Sequence, residues 1–221
     1  MENTIKPGYS APVEAGEDFS TYDEISAAVD THNESADPGD SYWGISVENG
    51  TYTVYAYGEV PTPPTEAEQL ESLRAEKLKS VSDSCEQAIC AGIDVTLSDG
   101  SEAHFSLQPT DQTNIDGIFS AITLGATAYP YHADGEQCKM YSASDIVTLY
   151  VAAKSHVTKQ TTYNNALRQW VKRESDLDTM KSISYGIDLP ENLQAEVADI
   201  LQKAQAQVEA IVAKLTAAAS E

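Results

Sequence analysis

The stretch YHADGEQCKMYSAS, residues 131–144, places His132, Asp134, Glu136 and Cys138 two residues apart. Side chains alternate along a strand, so four possible metal ligands at period two would share one face and could converge on an ion. A hairpin competes with that arrangement. Asp134-Gly135 is a strong turn dipeptide and reverses the chain in the middle of the row. His132 and Glu136 would then face each other across the turn, with Asp134 at its tip and Cys138 further down the second strand. A mixed thiolate and carboxylate set is also uncommon for structural zinc. The hairpin is the stronger expectation, and no metal or cofactor is expected.

Other residues with chemical potential fare similarly. Cys85 and Cys90 lie five apart on an expected helix, whereas helical neighbours are three or four apart, so the two thiols point in different directions. Cys85 falls on the apolar stripe and reads as a small core residue. His156 lies on the stripe of another helix, beside Val157, and reads as a packed, hydrogen-bonded histidine. His104 sits in a strand on the face opposite Phe105 and should be exposed. There is no GxSxG elbow, no HExxH pair and no Walker-type glycine loop. Carboxylates are abundant, but no spacing picks out a catalytic pair. No catalytic residue is assigned, and the chain is not expected to be an enzyme.

With 35 acidic and 13 basic residues among 221, the formal net charge is −22. That charge repels phosphate backbones and anionic lipid, which disfavours nucleic acid and membrane surfaces as partners and favours basic ones. No apolar run approaches the roughly 20 residues of a membrane span. The three cysteines are an odd number without CxxC spacing, as expected of reduced thiols in a cytosol. The opening MENTIKPGYSAP lacks the basic and apolar regions of a signal peptide.

The patterning predicts an α+β chain in four regions. Residues 1–60 hold twelve acidic residues and one basic residue, Lys6. They should form an extended acidic arm, a short helix opening on a Ser20/Asp23 capping box, and an aromatic hairpin turning at Glu48-Asn49-Gly50. Residues 61–68, PTPPTEAE, read as a proline-rich linker. Residues 69–173 should be a central domain of two long helices with short hairpins. Its first helix, about 65–91, carries Leu70, Leu73, Leu78, Val81, Cys85, Ala88 and Ile89 on one stripe and stops at Gly92. A hairpin turning at Asp99-Gly100 and a short helix ending at Gly125 follow. The second long helix, about 142–173, opens on a Ser142/Asp145 capping box. Residues 174–221 should be a helical tail.

Two groups of residues look built for contact. Tyr42, Trp43, Tyr52, Tyr55 and Tyr57 crowd two short strands, and an isolated hairpin is not stable alone. These rings would pack on the short helix, dock on another subunit, or form a carbohydrate-binding patch. In the tail, Leu193, Val197, Ile200, Ala204, Val208, Ile211 and Leu215 step by four and three in a heptad seam. The seam would either self-associate as a coiled coil or fold back on the domain. Its thinness as a lone amphipathic helix favours association, hence a homo-oligomer.

The order of segments from PTPPTEAEQLESLRAEKL, through AGIDVTLSDGSEAHFSLQPTDQTNI and GATAYPYHADGEQCKMYSASD, to AAKSHVTKQTTYNNALRQWV resembles a phage-borne domain of unknown function. ISYGIDLPENLQAEV resembles a segment that trails this domain in phages and prophages of gut Firmicutes. The likeness spans about residues 61–200, with no catalytic residue attached. It implies a structural protein of a virion, in the tail, baseplate or tail-fibre region, made in the bacterial host cytoplasm and partnered with other phage proteins. The strand-then-proline-linker arrangement is also similar to tail-fibre assembly proteins, so an assembly chaperone is the alternative, and a carbohydrate-binding module a further one.

Overall fold

A computed structural model of the chain describes residues 4–14, 16 and 19–218, and the fold is α+β in two units, residues 1–65 and 66–221. In the first unit, β1 (Ser10–Pro12), β2 (Tyr42–Glu48) and β3 (Thr51–Tyr57) form an antiparallel sheet in the order β1-β3-β2. A helix, α1 (Ser20–Ser35), connects β1 to β2 and covers one face. The β2–β3 turn is the expected one. Asn49 and Gly50 have φ of 49° and 69°, the paired positive angles of a two-residue type I′ hairpin. Ile25 and Val29 of α1 meet Ala11, Tyr52 and Val54 of the sheet, all buried.

Two expectations need correcting here. The opening was expected to be an extended arm, but Ser10, Ala11 and Pro12 pair with Thr53, Tyr52 and Thr51. Ala11 is buried there, so a three-residue strand joins because it closes the edge of the core. Nor does Ser20 cap α1. The helix starts at Ser20 itself, Phe19 holds the cap position, and the Asp23 amide donates to the Phe19 carbonyl.

The second unit opens with α2 (Glu66–Cys90), which directly follows the prolines. Two hairpins follow with α3 (Pro109–Thr123) between them: β4 (Ile93–Thr96) with β5 (Glu102–Phe105), and β6 (Ala128–Tyr131) with β7 (Lys139–Ser142). Then come α4 (Ala143–Arg173), α5 (Leu177–Ser182) and α6 (Glu191–Ala218). The residues expected to form a separate tail belong to this unit: α5 packs on α2, and α6 packs on α4.

At 31 residues, α4 is about 46 Å long and passes through two cores. Its first half puts Ile146, Leu149 and Ala153 among Phe105, Leu107, Ile115, Tyr131 and Tyr141. Its second half puts Ala166, Leu167 and Val171 against Val81, Met180, Ile183 and Leu193. The expected capping box forms. Ser142 Oγ accepts from the Asp145 amide, and the Asp145 carboxylate accepts from the Ser142 amide and, at 2.7 Å, from the Ser98 amide in the β4–β5 turn. One carboxylate therefore caps the helix and ties it to a hairpin. Burial opposes its ionisation, but the hydrogen bonds from Ser142 and Ser98 outweigh that cost and hold the carboxyl below its ordinary range.

Scarce cations close the other helix ends. Arg74 on α2 donates to the carbonyls of Val171 and Glu174 at the end of α4, and Lys77 donates to those of Lys181 and Ile183 at the end of α5. Positive charge is thus placed where unpaired carbonyls gather partial negative charge.

Gly92 ends α2 with φ +85°, and a Cβ there would lie 2.3 Å from the Phe105 carbonyl oxygen. Gly100 has φ +84° with nothing near its would-be Cβ. Alanine at either position incurs the left-handed backbone strain of about 1–2 kcal/mol. Only Gly92→Ala must also push a backbone apart. Chemical denaturation should therefore show Gly92→Ala clearly more destabilised than Gly100→Ala. Equal losses would mean that the close approach of the α2 terminus to β5 does not matter.

Candidate interaction surfaces

The five crowded aromatics of the first unit are separated by strand alternation. In the β2–β3 register Tyr42 opposes Tyr57, Gly44 opposes Tyr55, and Ser46 opposes Thr53, all on one face. Trp43, Ile45, Tyr52 and Val54 take the other face, toward α1. Tyr52 is buried, and Trp43 packs on the core while stacking on His32, ring centroids 3.7 Å apart. Tyr52 is therefore a core residue, and Trp43, half-buried, is turned to the same inner face, away from the other three rings. Tyr55 and Tyr57 remain 45% and 51% exposed, with Tyr42 half-buried beside them.

Those three rings form one array. The Tyr42–Tyr57 centroids are 6.0 Å apart, and those of Tyr55 and Tyr57 are 5.9 Å apart. Gly44 makes the array possible, because a Cβ there would sit 2.7 Å from Tyr55 Cζ. The Tyr55 ring lies across the strand in that space and shows its outer side to solvent. Hydroxyls of Ser10 and Thr53, 3.4 Å apart, continue the same face across the sheet. The neighbouring edge is held by α1. Asn33 uses its amide as a short strand, accepting from the Trp43 amide at 2.8 Å and donating to the Trp43 carbonyl at 2.9 Å. His32 Nε2 meets the Ser41 carbonyl at 2.9 Å. Neither Gly44 nor Asn33 stands out in the sequence. Their roles depend on register, which only the paired strands reveal.

The seam of α6 is also redrawn. Leu193 is buried and Val197 packs on the same core. Beyond them, Leu201, Ala204 and Val208 lie across from Lys154, Ser155 and Thr158 of α4, and Val212 and Leu215 lie near the start of α4. The inward residues thus step 4-4-3 in an eleven-residue repeat, which follows a nearly straight helix better than heptads do. Leu193, Val197, Val208 and Leu215 stay on the seam, but it faces this chain's own core and α4, the fold-back alternative, and not a second copy. Ile200 and Ile211 do not stay on it: they are 50% and 44% exposed, and Leu201 and Val212 take the inward positions.

The candidate ligand row falls in the β6–β7 connection. Asp134-Gly135 turns as expected, with Gly135 at φ +72°. The strands end earlier than the hairpin expectation had them, so His132, Asp134, Glu136 and Cys138 all lie in the connecting loop. Lys139 pairs with Glu136, and the Asp134 carboxylate accepts from the Ser106 amide at 3.1 Å. Among the described residues no group of three or more His, Cys, Asp or Glu is placed to hold a metal ion. Cys85 is buried, with Sγ 3.5 Å from the Gln160 carbonyl, and Cys138 is exposed. His156 Nε2 meets the Ala88 carbonyl at 2.9 Å, the expected packed histidine.

His104 is more engaged than an exposed strand residue need be. Nδ1 is 2.8 Å from Asp94 Oδ1, Nε2 is 2.9 Å from the Ala91 carbonyl, and Asp134 Oδ2 lies 3.9 Å away. Both ring nitrogens face acceptors, so only the imidazolium can donate to both. The bond to Asp94 is the main cause holding its pKa above the ordinary value; burial opposes it, and the Ala91 carbonyl and the charges of Asp94 and Asp134 assist. The ring ties the end of α2, both strands of the first hairpin and the β6–β7 loop together.

A family model described as a domain of unknown function (DUF4376) matches residues 72–187, just over half of the chain. The match covers both hairpins, α3, α4 and α5 and most of α2, and leaves out the first unit and α6. No curated protein and no solved structure matches the chain. No helix among the described residues is long and apolar enough to cross a membrane.

A raised folded-state pKa means that His104 stabilises the fold in full below the unfolded value of about 6.5, and that this contribution fades as pH rises through the folded value. Asp94→Asn should lower the His104 midpoint in an NMR titration. The stability difference between the wild type and this variant should be larger at pH 5 than at pH 9. A pH-independent difference would show that the pair is not ionic.

Proposed function

We propose, for a chain that belongs to the family described as a domain of unknown function (DUF4376), the role of a non-enzymatic structural component of a phage or phage-like particle. It would sit in the tail, baseplate or tail-fibre region and act by docking on other particle proteins. The observation that carries the docking role is the Tyr42–Tyr55–Tyr57 array on the open face of the first unit. Tyrosine buries much area at low entropic cost and keeps a polar tip, which suits a surface that is wet before docking and dry afterwards. The particle context rests on the resemblance in segment order. The acidic balance of residues 1–60 favours a neutral or basic partner surface.

Self-association through α6 belongs to the same proposal. Ile200 and Ile211 are eleven residues apart, about three helical turns, so they share one side of α6 that is not directed at α4. Light scattering after gel filtration should show an oligomer for the full chain and a smaller species for Ile200→Glu/Ile211→Glu. An unchanged mass would remove α6 as the contact.

Mass spectrometry of washed particles beside crude lysate tests the role itself. Stoichiometric protein in the particles supports a virion component, whereas protein confined to the lysate supports an assembly chaperone. The Tyr55→Ser/Tyr57→Ser variant should be depleted from particles at least ten-fold while the first unit still unfolds cooperatively. Undiminished incorporation would remove the tyrosine face from docking, and retention on immobilised glycans would favour the carbohydrate-binding alternative.

A further inference from the structure

The second unit contains a half-open cavity of about 740 Å³ between the end of α3, the loop that follows it, the first two turns of α4 and the last described turns of α6. That volume falls within the roughly 300–1,000 Å³ of small-molecule sites. Ile122, Ala126, Ala143, Val147, Val212 and Leu215 form its apolar wall. No charged residue among the described ones lines it, in a chain that carries −22.

Several polar groups around the cavity are already committed. Thr123 Oγ1 donates to the Ser120 carbonyl, and Thr148 Oγ1 donates to the Ser144 carbonyl. The Ser142 hydroxyl donates to Asp145, so the Ser144 hydroxyl, 2.9 Å from Ser142 Oγ, is the donor in that pair. These hydroxyls bond within their own chain, and Thr127 supplies the remaining hydroxyl of the lining. The start of α4 offers little to an anion as well, since the Ala143 amide donates to the Thr127 carbonyl and the Asp145 amide to Ser142. Asp145 itself is held by Ser142 and Ser98. At the rim, between lining residues Thr123 and Gly125, Leu124 is 89% exposed. A leucine left almost wholly in water beside an apolar hollow extends the apolar surface outward.

We propose that this cavity is a binding site for an uncharged, apolar small molecule, held by shape and apolar contact, with Leu124 as its lip. The site is independent of the tyrosine face and of the particle role. It also gives α6 a function beyond packing, because Val212 and Leu215 supply a wall that the family-matched segment alone lacks.

The test titrates the full chain with N-phenyl-1-naphthylamine, an uncharged apolar fluorophore. A saturable rise at one site per chain is expected. Val147→Trp fills the cavity and should abolish the signal. Ser144→Asp puts a carboxylate at the mouth, where the first turn of α4 tolerates negative charge, so the fold is kept while affinity falls at least ten-fold. Thermal unfolding of both variants establishes that the fold survives. Non-saturable binding, or equal affinity in wild type and Ser144→Asp, overturns the proposal. So does a signal that disappears as the chain is concentrated into an oligomer, because a second copy would then be the occupant.

Discussion

The second unit depends on burying one helix along its whole length. An isolated helix gains little from its own hydrogen bonds in water, so a 31-residue helix persists because its apolar stripe is covered. No single small core can cover about 46 Å of helix. The chain solves this with two clusters in series. Hairpins and α3 cover the first half, and α2, α5 and the start of α6 cover the second. The short strands follow from the same need. Hairpins of four-residue strands are marginal alone, but Phe105, Tyr131 and Tyr141 each bury a ring against α4 or its neighbours, and that burial is what keeps two-stranded sheets in place.

The first unit works by a different device, the period-two alternation of a strand. Five aromatics within sixteen residues are too many for one small core. Alternation sends Trp43 and Tyr52 inward and Tyr42, Tyr55 and Tyr57 outward, so core packing and an exposed aromatic surface arise from the same two strands. Packing on the short helix and presentation to solvent, open alternatives in the sequence, are thus divided between different residues. Gly44 and Asn33 then refine the surface. One opens space for a flat ring, and the other occupies the Trp43 edge groups that would otherwise invite a foreign strand.

What could be read in advance was whatever is local. The Asn49-Gly50 turn, the Ser142/Asp145 box and the Gly92 stop each use contacts within a few residues, and each was legible. Strand β1 was not, because three residues without alternation join a sheet only through partners about forty positions away. The α6 seam failed for a subtler reason. Heptads and an eleven-residue repeat share Leu193, Val197, Ala204, Val208 and Leu215, and diverge only at Ile200 versus Leu201 and Ile211 versus Val212. Both members of each pair are aliphatic, so composition is silent and only the partner helix decides. His104 was placed correctly by alternation, yet its ties to Ala91 and Asp94 on one side of it and Asp134 on the other form only in the fold and carry no sequence spacing.

Charge joins these parts to function. The chain has few cations, and the most sheltered of them are spent largely on carbonyls and hydroxyls. Arg74 and Lys77 seal the ends of α4 and α5, and Arg168 reaches the Leu78 carbonyl and the Ser82 hydroxyl across the α2–α4 contact. Cations used this way hold helices together while doing little to reduce the acidic character of the surface, since 35 carboxylates face only 13 basic residues in all. Such a surface repels copies of itself and other anions at long range. Contact is then cheapest where rings and aliphatic groups reach the surface: the tyrosine face, the isoleucine edge of α6, and the cavity beside α4. At these surfaces a partner sheds water from rings and aliphatic groups instead of from carboxylates, whose desolvation is far costlier. That difference is what favours them, over the acidic loops, as the places where this chain would bind.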